Sequence, residues 1–594
     1  MNVRSVVILI SGAALAALGF TVSAPRRAVA ALPSAHAPAA GPGFLALKGN
    51  RGPFSVAFSA DGRIACVTEF DEGAVAVIDA TSGKVLEHIS TGGLQPTGIA
   101  VSPDGTKAVA ANSLSGSVAF LDLQKHSAVT VPQPGAPWGV AISPQGDKAY
   151  ITVSQLDLVA VYDMATHQKT GEVHCGRHPR ALDLSADGAT LVTANLSAGS
   201  VTYINTQDLS VRGEGATPAV NLRGVALYPD SRTVFAVGQR AQNERPTETA
   251  VGIWSNQAFI QVPNGPRNGI QNLWLDLMGS DVADPDSCVL DARSNRVFVT
   301  CSGGDSLNVL PLRGDGDTVT VKHIGAQPRG LALSPDRRSV WVACLLSNKI
   351  AVVDTETLKV TREIPLGQAA KGGQDIEGRY LFGTASIVKG EQFSCNSCHP
   401  DGGSDGISWK FVHVPDALGK TTDRNVKGLR GHIGADPPYR WSGRDATLSQ
   451  FISEEATGLL QGAPLTPQQT SALANYVGTL PLSANPFREP GGKLTATAER
   501  GKGLFEGKGG CAACHTRVAG KQAQKAWVGT TPEGVTLLPP RLDGVYDTDP
   551  YLHNGSARTL EEIFTLRNSR HLHGKAHLLS DSEMKDLLEY VKEM

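Results

Sequence analysis

Two short segments of this chain have the residue types and spacing that attach an iron porphyrin covalently. Residues 395–399 (Cys-Asn-Ser-Cys-His) and 511–515 (Cys-Ala-Ala-Cys-His) both spell Cys-x-x-Cys-His. In this pattern two thiols add to the haem vinyl groups, and the adjacent imidazole reaches the iron from one face. The chain has 9 Cys and 15 His in 594 residues, and at those frequencies chance gives about 0.003 such matches. We therefore predict two covalently bound c-type haems, with these attachment and proximal residues: Cys395, Cys398, His399, Cys511, Cys514 and His515.

The sixth iron position of the first haem has few candidate ligands. The chain contains only five Met, and none lies between residues 366 and 495. The His/Met ligation that raises cytochrome c potentials is therefore excluded there unless another domain supplies the sulfur. The available imidazoles are His413 and His432. Either one of them binds, giving a low-potential iron, or the site is open to a small molecule.

For the second haem, the candidate ligands lie near the carboxyl end. Met584 shares a helical pattern with Leu587 and Val591, which favours a place in the core. A loop upstream carries three histidines, and we favour His573 because the following Gly574 permits close backbone approach. The alternative is that these histidines are solvated loop residues.

The chain before the two haem motifs is built from a repeated sequence unit. A unit of strand and turn recurs seven times before the motifs, with turn residues spaced by 43, 41, 42, 43, 64 and 42 residues. The aligned turn residues are Asp61, Asp104, Gln145, Asp187, Asp230, Ser294 and Asp336. Three or four short strands in about 42 residues are typical of one propeller blade. We predict an all-β seven-bladed propeller over residues 44–366.

The repeat resembles the YVTN family of seven-bladed β-propellers, through residues 150–153 (Tyr-Ile-Thr-Val) and 191–195 (Leu-Val-Thr-Ala-Asn). This resemblance implies a fold and no activity. The fifth unit is enlarged at residues 239–281 and contains Trp254 and Trp274, which suits a lid, a docking loop or a simple surface insertion. Cys288 and Cys301 flank one predicted hairpin and are candidates for a disulfide.

Composition and the amino terminus indicate the compartment. Lys and Arg (54) nearly balance Asp and Glu (56), so no basic field favours nucleic acid as a partner.

Arg4, an apolar run over residues 6–20 and small residues before position 25 are typical of a secretory signal. We predict a signal peptide at residues 1–24, a flexible leader at 25–43 and a periplasmic location, or a membrane anchor if the signal is not cleaved.

The regular strand pattern stops after Leu366 and mainly α-helical, loop-rich sequence begins. Each haem motif follows its own helical lead-in, at residues 376–382 and 498–505. We predict two cytochrome c half-domains, at residues 367–490 and 491–594.

Two further segments resemble the bacterial dihaem cytochrome c peroxidase and MauG family: residues 439–448 (Tyr-Arg-Trp-Ser-Gly-Arg-Asp-Ala-Thr-Leu) and 550–560 (Pro-Tyr-Leu-His-Asn-Gly-Ser-Ala-Arg-Thr-Leu). The resemblance covers residues 372–594. It implies that one haem binds peroxide or another small substrate while the other exchanges electrons, with a small electron-transfer protein as partner. Trp441 matches the tryptophan between the haems, as a relay or as packing at the seam. Asn425, Thr548 and Pro550 match segments that hold calcium.

The chain also departs from that family. Leu566 and Arg567, where the family has a Met or Tyr ligand, cannot bind iron. For the catalytic Glu of the peroxidases, Glu454 and Glu455 are the nearby candidates, while a count without gaps reaches Gln461. Two functions remain: a peroxidase-like or MauG-like enzyme whose propeller docks a partner or shields a haem face, and a non-catalytic electron-transfer cytochrome with the propeller as recognition platform.

Overall fold

The computed structural model describes residues 51–244, 250–261, 271–275, 282–312, 317–367, 376–410, 423–431, 433–435, 437–515, 524–531 and 534–594. Over these residues the chain forms seven four-stranded antiparallel sheets followed by a helical region. The predicted seven-bladed all-β propeller and the mainly α region after it are confirmed. The predicted signal peptide and leader lie outside the described residues.

Each blade takes its four strands from one continuous stretch of chain, and the strands pair in chain order. Blades one to four contain β1–β4 (Pro53–Phe58, Ile64–Glu69, Ala74–Asp79, Val85–Ser90), β5–β8 (Pro96–Val101, Lys107–Asn112, Ser117–Asp122, Ser127–Pro132), β9–β12 (Pro137–Ile142, Lys148–Val153, Leu158–Asp163, Lys169–His174) and β13–β16 (Pro179–Leu184, Thr190–Asn195, Ser200–Asn205, Ser210–Ala216). Blades five to seven contain β17–β20 (Val220–Leu227, Val234–Ala241, Trp254–Gln261, Gln271–Trp274), β21–β24 (Pro285–Asp291, Arg296–Cys301, Ser306–Pro311, Val319–Lys322) and β25–β28 (Pro328–Leu333, Ser339–Cys344, Lys349–Asp354, Val360–Pro365).

The burial of each strand follows its sequence pattern. The middle strands of a blade, such as β6 and β7, are apolar and almost fully buried, because neighbouring blades cover both of their faces. The outer strand β8 alternates exposed and half-buried positions. The first strand of each blade contacts that of the next, and β25 contacts β1, which closes the ring.

The repeated turn residues identified in the sequence have a structural role. In blade two the Ser102 hydroxyl donates to the Asp104 carboxylate at 2.5 Å, and Gly105 follows with φ of 70°. The same serine-to-aspartate bond recurs in blades one, four and seven. A glycine adopts this left-handed backbone without the clash that a Cβ would cause.

Two of the sequence interpretations for the propeller can be settled. Cys288 lies opposite Val299 in the β21–β22 register and both it and Cys301 are free thiols, so the suggested disulfide is wrong. The enlarged blade five carries Trp254 into the molecule, where its ring lies 5.2 Å from that of Trp409 in the helical region. Trp274 is 53% exposed at the blade edge.

The helical region contains seven α-helices among its described residues, with a short hairpin, β29 and β30 (Ser408–Trp409, Arg424–Asn425). The helices are α1–α7 (Ile376–Gly383, Cys395–Cys398, Leu448–Thr457, Pro467–Gly478, Ala496–Glu506, Leu560–Thr565, Asp581–Lys592). None of the described helices is long and apolar enough to cross a lipid bilayer.

The two haem motifs have matching helical supports. The lead-in helix α1 packs on α4, and α5 packs on α7. Each pair meets at a glycine: a Cβ at Gly378 would lie 2.1 Å from the Ala472 carbonyl oxygen, and one at Gly501 would lie 1.9 Å from that of Asp586. These close approaches explain why a glycine occupies both lead-in helices.

Candidate functional site

The first haem motif is the short helix α2, and the propeller holds it in place. The Ser394 hydroxyl accepts a hydrogen bond from the Asn396 N–H, which caps the helix. The buried carboxylate of Asp284, at the start of blade six, accepts from the hydroxyls of Ser394 and Ser397, both at 2.5 Å. The motif is thus fixed from outside the cytochrome region.

Blade five completes this support. Asn221 donates to the Ser397 carbonyl oxygen at 2.7 Å, and Arg223 donates to the Asn396 carbonyl oxygen at 2.9 Å. Gln239 donates to the Ser397 hydroxyl at 3.2 Å. Sequence reasoning missed these residues, because they belong to ordinary strands. Their only signal was polarity at strand positions where a buried blade normally has apolar side chains.

His399 follows α2, and its surroundings favour a neutral imidazole ring, which is the form that binds a metal. Its Nδ1 lies 3.4 Å from the Gly403 carbonyl oxygen. A proton on Nδ1 would be donated to this oxygen and would leave the lone pair of Nε2 for a metal. Burial lowers the pKa of His399 to about 4, so the ring is neutral near pH 7.

The second motif has the same arrangement on the proximal side. A short 3₁₀ turn, Cys511–Ala513, leads to His515, whose Nδ1 lies 3.1 Å from the Pro540 carbonyl oxygen. Burial lowers the pKa of His515. The carbonyl fixes the tautomer and leaves Nε2 to bind iron.

His573, the residue favoured as distal ligand, lies beside His515. The two ring centroids are 6.2 Å apart and the ring planes differ by 27°. That gap leaves room for one metal atom bound by both rings at histidine–metal distances of about 2 Å. Burial, with a smaller effect of His515, lowers the pKa of His573 to about 4. Met584 packs beside Leu587 in the core of the second half-domain.

One cavity of about 870 Å³ opens onto both motifs. Cys398 and His399 line it from the first motif, and Cys514 and His515 line it from the second. Its volume is in the upper part of the range of about 300–1,000 Å³ found for ligand and cofactor sites. The residues present therefore fit a covalently attached c-type haem, and the cavity borders both motifs.

Trp441 lines this cavity at the seam between the half-domains. Its indole N–H donates to the Asn425 carbonyl oxygen at 3.1 Å, and its ring lies 6.3 Å from that of His553. The Lys427 ammonium lies 4.0 Å from the centroid of the indole ring. The tryptophan is therefore packed against both motif-bearing segments and borders the cavity that both motifs line, and its role as an electron relay stays a prediction.

The residues matched to a calcium site also meet in this cavity, which Asn425, Thr548 and Pro550 all line. The Asn425 side-chain amide donates to the Pro550 carbonyl oxygen, while its own Oδ1 is buried without a hydrogen-bond partner among the described residues. An orphaned amide oxygen beside a backbone carbonyl suits a hard cation. No cluster of three His, Cys, Asp or Glu that could hold a metal occurs in the described part of the chain.

The two candidate glutamates occupy different environments. Glu455 lines the large cavity and its carboxylate accepts from Arg440, whereas Glu454 pairs with the partly exposed Arg444 at 2.7 Å. Burial raises the pKa of Glu455, against the opposing effect of Arg440. Of the two, Glu455 is the one placed to hold a proton near the first motif. His413 and His432 lie outside the described residues.

These observations define a class: a seven-bladed β-propeller followed by a helical region that carries a cytochrome c domain. Residues 498–594 match the family model of cytochrome c. Covalently bound c-type haem is implied by this match. Together with the relatives below, it supports a haem oxidoreductase or electron-transfer role.

Two characterised proteins are homologous to parts of the chain. The gamma subunit of hydrazine synthase from Kuenenia stuttgartiensis is 26% identical over 272 residues, covering 36% of this chain and 76% of the relative. The methylamine utilization protein MauG from Methylorubrum extorquens is 26% identical over 222 residues, covering 32% and 59%. The chain thus spans less than two thirds of the length of MauG.

Among solved structures, hydrazine synthase from Kuenenia stuttgartiensis aligns with a TM-score of 0.49 and 24% identity, covering 52% of this chain and 97% of the other. A streptogramin B lyase structure aligns with a TM-score of 0.40 and 16% identity, covering 50% and 92%.

Proposed function

We propose that the protein is an exported dihaem c-type oxidoreductase of the peroxidase-like or MauG-like kind. The observation that carries the proposal is the single cavity into which both Cys-x-x-Cys-His motifs open, with Trp441 in its lining. Two separate cavities would suit two independent electron carriers better. Residues 1–24 support export to the periplasm, or anchoring there if the signal is not cleaved.

The haems, when bound, supply one-electron redox chemistry and, at an open iron, a position for peroxide or another small substrate. The residues around the two motifs have different proposed roles. With haem bound, His399 and His515 would hold the irons through Nε2, and His573 would be a second protein ligand of the second iron. Glu455, kept near the first motif by Arg440, takes up and returns a proton at its carboxylate.

We propose that the propeller acts mainly on the first haem motif of its own chain. Asp284, Asn221 and Arg223 fix the first motif by hydrogen bonds, so the propeller shields and orients that haem face. Docking of a small electron-transfer protein is then expected at the second half-domain, which carries the exchange of electrons. A calcium ion at Asn425 and Pro550 would hold the seam between the half-domains together.

A non-catalytic electron-transfer cytochrome is the second candidate. The closeness of the His515 and His573 rings favours it for the second haem, because an iron with two imidazoles has no free position. The two functions differ in the first haem, where His413 or His432 would have to close the sixth position. The propeller would then serve as a recognition platform.

Electron paramagnetic resonance of the oxidised holoprotein separates the two candidates. The enzyme hypothesis predicts one high-spin and one low-spin iron, and peroxide-dependent oxidation of a reduced small cytochrome. Two low-spin signals that do not change after partial reduction or added peroxide would reject it. His399→Ala should abolish turnover, and Glu455→Gln should reduce turnover more than Glu454→Gln does.

A further inference from the structure

A second, smaller cavity lies between the propeller and the cytochrome region, at the side of the propeller where the first strands of the blades meet. Its volume is about 90 Å³. The propeller contributes Trp138, Arg180 and Arg329, and the segment after the first motif contributes Asp401 and Gly403. A water needs about 10–15 Å³ in this measure, so the cavity holds several waters or one small ion and is too small for a cofactor.

Positive charge is in excess among the described residues that line this cavity. Four of them are arginines, Arg180, Arg329, Arg379 and Arg430, and two are aspartates, Asp401 and Asp547. Further carboxylates contact the lining from outside the cavity: Asp71, Asp157, Asp286 and Asp305. His178 shares Asp547 with Arg430, so the excess grows when His178 is protonated.

The arginines differ in how well they are paired. Arg379 contacts Asp71 at 2.7 Å, and Arg329 contacts Asp401 at 2.8 Å. Arg180 is only 8% exposed, yet its contact with Asp401 is 3.6 Å, longer than a hydrogen bond. No acceptor among the described residues reaches its Nε.

One face of the Arg180 guanidinium is covered by an aromatic ring. Its Cζ lies 3.6 Å from the centroid of the Trp138 ring, which covers one face. Burial lowers the pKa of Arg180 to about 10, against the opposing effect of Asp401, while Arg430 and Arg223 lower it further. A buried guanidinium whose Nε has no acceptor costs free energy, and an acceptor in the cavity beside Arg180 would reduce that cost.

We propose that this cavity binds a carboxylate-type oxyanion against Arg180. A planar anion with two oxygens matches the fork of a guanidinium, and the volume suits an anion of a few heavy atoms. Two sources supply this chemistry: a free anion of the size of formate, or a propionate of the first haem. A haem propionate could reach Arg180 because the small and the large cavity adjoin at Arg430 and Gly403, which line both. Only the propionate alternative rests on the proposed first haem.

The first test is thermal unfolding of the full-length holoprotein, titrated with sodium formate at constant ionic strength. If a free anion binds, the wild-type midpoint rises to a plateau, by roughly 2 °C or more. Arg180→Gln should lose this rise. Arg63→Gln should keep it, because Arg63 is an exposed residue of blade one that pairs only with Asp61.

The second test identifies a propionate as occupant. In that case formate leaves the wild-type midpoint unchanged, and the propionate bending band in the resonance Raman spectrum differs between wild type and Arg180→Gln but not Arg63→Gln. The proposal is overturned if formate has no effect and the Raman band is the same in all three proteins. A crystal structure of the wild-type holoprotein with only water in the cavity would overturn it as well, whether or not the variant folds. None of these readouts depends on catalytic turnover.

Discussion

The imidazole rings of His515 and His573 face each other with centroids 6.2 Å apart, although 57 residues separate them in the chain. The backbone between them is held by Asn568, whose side chain bonds both the N–H and the carbonyl of His573. The chain therefore places His573, the predicted distal residue, beside the imidazole of the second motif.

Removing His573 should open the second iron. We expect His573→Ala to convert one low-spin signal to high spin in the electron paramagnetic resonance spectrum of the oxidised protein, because the His573 ring, 6.2 Å from that of His515, is the predicted second ligand. His571→Ala is the matched control, since the His571 ring lies 4.3 Å from that of His577 in the same loop and is tilted by 37° to it. An unchanged spectrum in His573→Ala would show that another residue binds the iron.

Replacing Trp441 should slow electron transfer between the two haems. Trp441→Phe keeps an aromatic ring but removes the indole N–H bond to Asn425 and part of the contact surface. We expect the rate of intramolecular electron redistribution, measured by stopped-flow or flash photolysis, to fall by about tenfold or more, equivalent to about 1.4 kcal/mol. Trp274→Phe, at the exposed edge of blade five, should leave the rate unchanged. Equal rates in both variants would assign Trp441 to packing alone.

Asp284 should be essential for the first haem environment, because it joins the propeller to the first motif. Asp284→Ala leaves two buried hydroxyls without their acceptor, and hydrogen bonds to charged groups are worth about 1.5–3 kcal/mol each. The unfolding midpoint followed at the haem absorption band should fall, and fewer molecules should carry the first haem. Asp104→Ala removes a similar serine-bonded carboxylate from a surface turn and should have a much smaller effect. Equal effects would contradict a specific anchoring role.

Asp405 should make the potential of the first haem depend on pH. It is fully buried, accepts from the Trp409 indole at 3.1 Å, and burial raises its pKa to about 8. Its charge acts on Cys398. Ionisation at higher pH stabilises oxidised iron, so we expect the potential to fall as pH rises through about 8, and Asp405→Asn to abolish this slope. The same raised pKa makes folding stability decrease between about pH 4 and pH 8.

A spectroelectrochemical titration of both haems checks this prediction, with the second haem as internal control. A slope that persists in Asp405→Asn, or that belongs to the second haem, would contradict the assignment to this carboxyl.

The propeller could be predicted from sequence because each blade repeats a local pattern. Strand alternation and turns such as Ser102–Asp104 act within a few residues, so periodicity reports them directly. The Cys-x-x-Cys-His motifs are equally local. His573 was favoured from a neighbouring glycine, and its position beside His515 agrees with that choice, although the binding of iron by both residues stays a prediction.

The contacts between propeller and cytochrome region could not be predicted. Arg180, Asp284 and Asp401 lie in different elements and meet only after the domains pack. No spacing rule links them, because a buried polar contact between distant segments leaves no periodic signal. The proposed disulfide of Cys288 failed for a related reason: strand register decides it, and register was not visible in the sequence.

Covalent attachment of two haems to one chain underlies the proposed function, and the mass of the intact protein measures it. Protein purified from a host with a functional haem-attachment system should exceed the mass of its polypeptide by two haem groups. Replacing Cys395 and Cys398 by Ala, or Cys511 and Cys514 by Ala, should each remove one. A wild-type mass with one added haem or none would contradict the account.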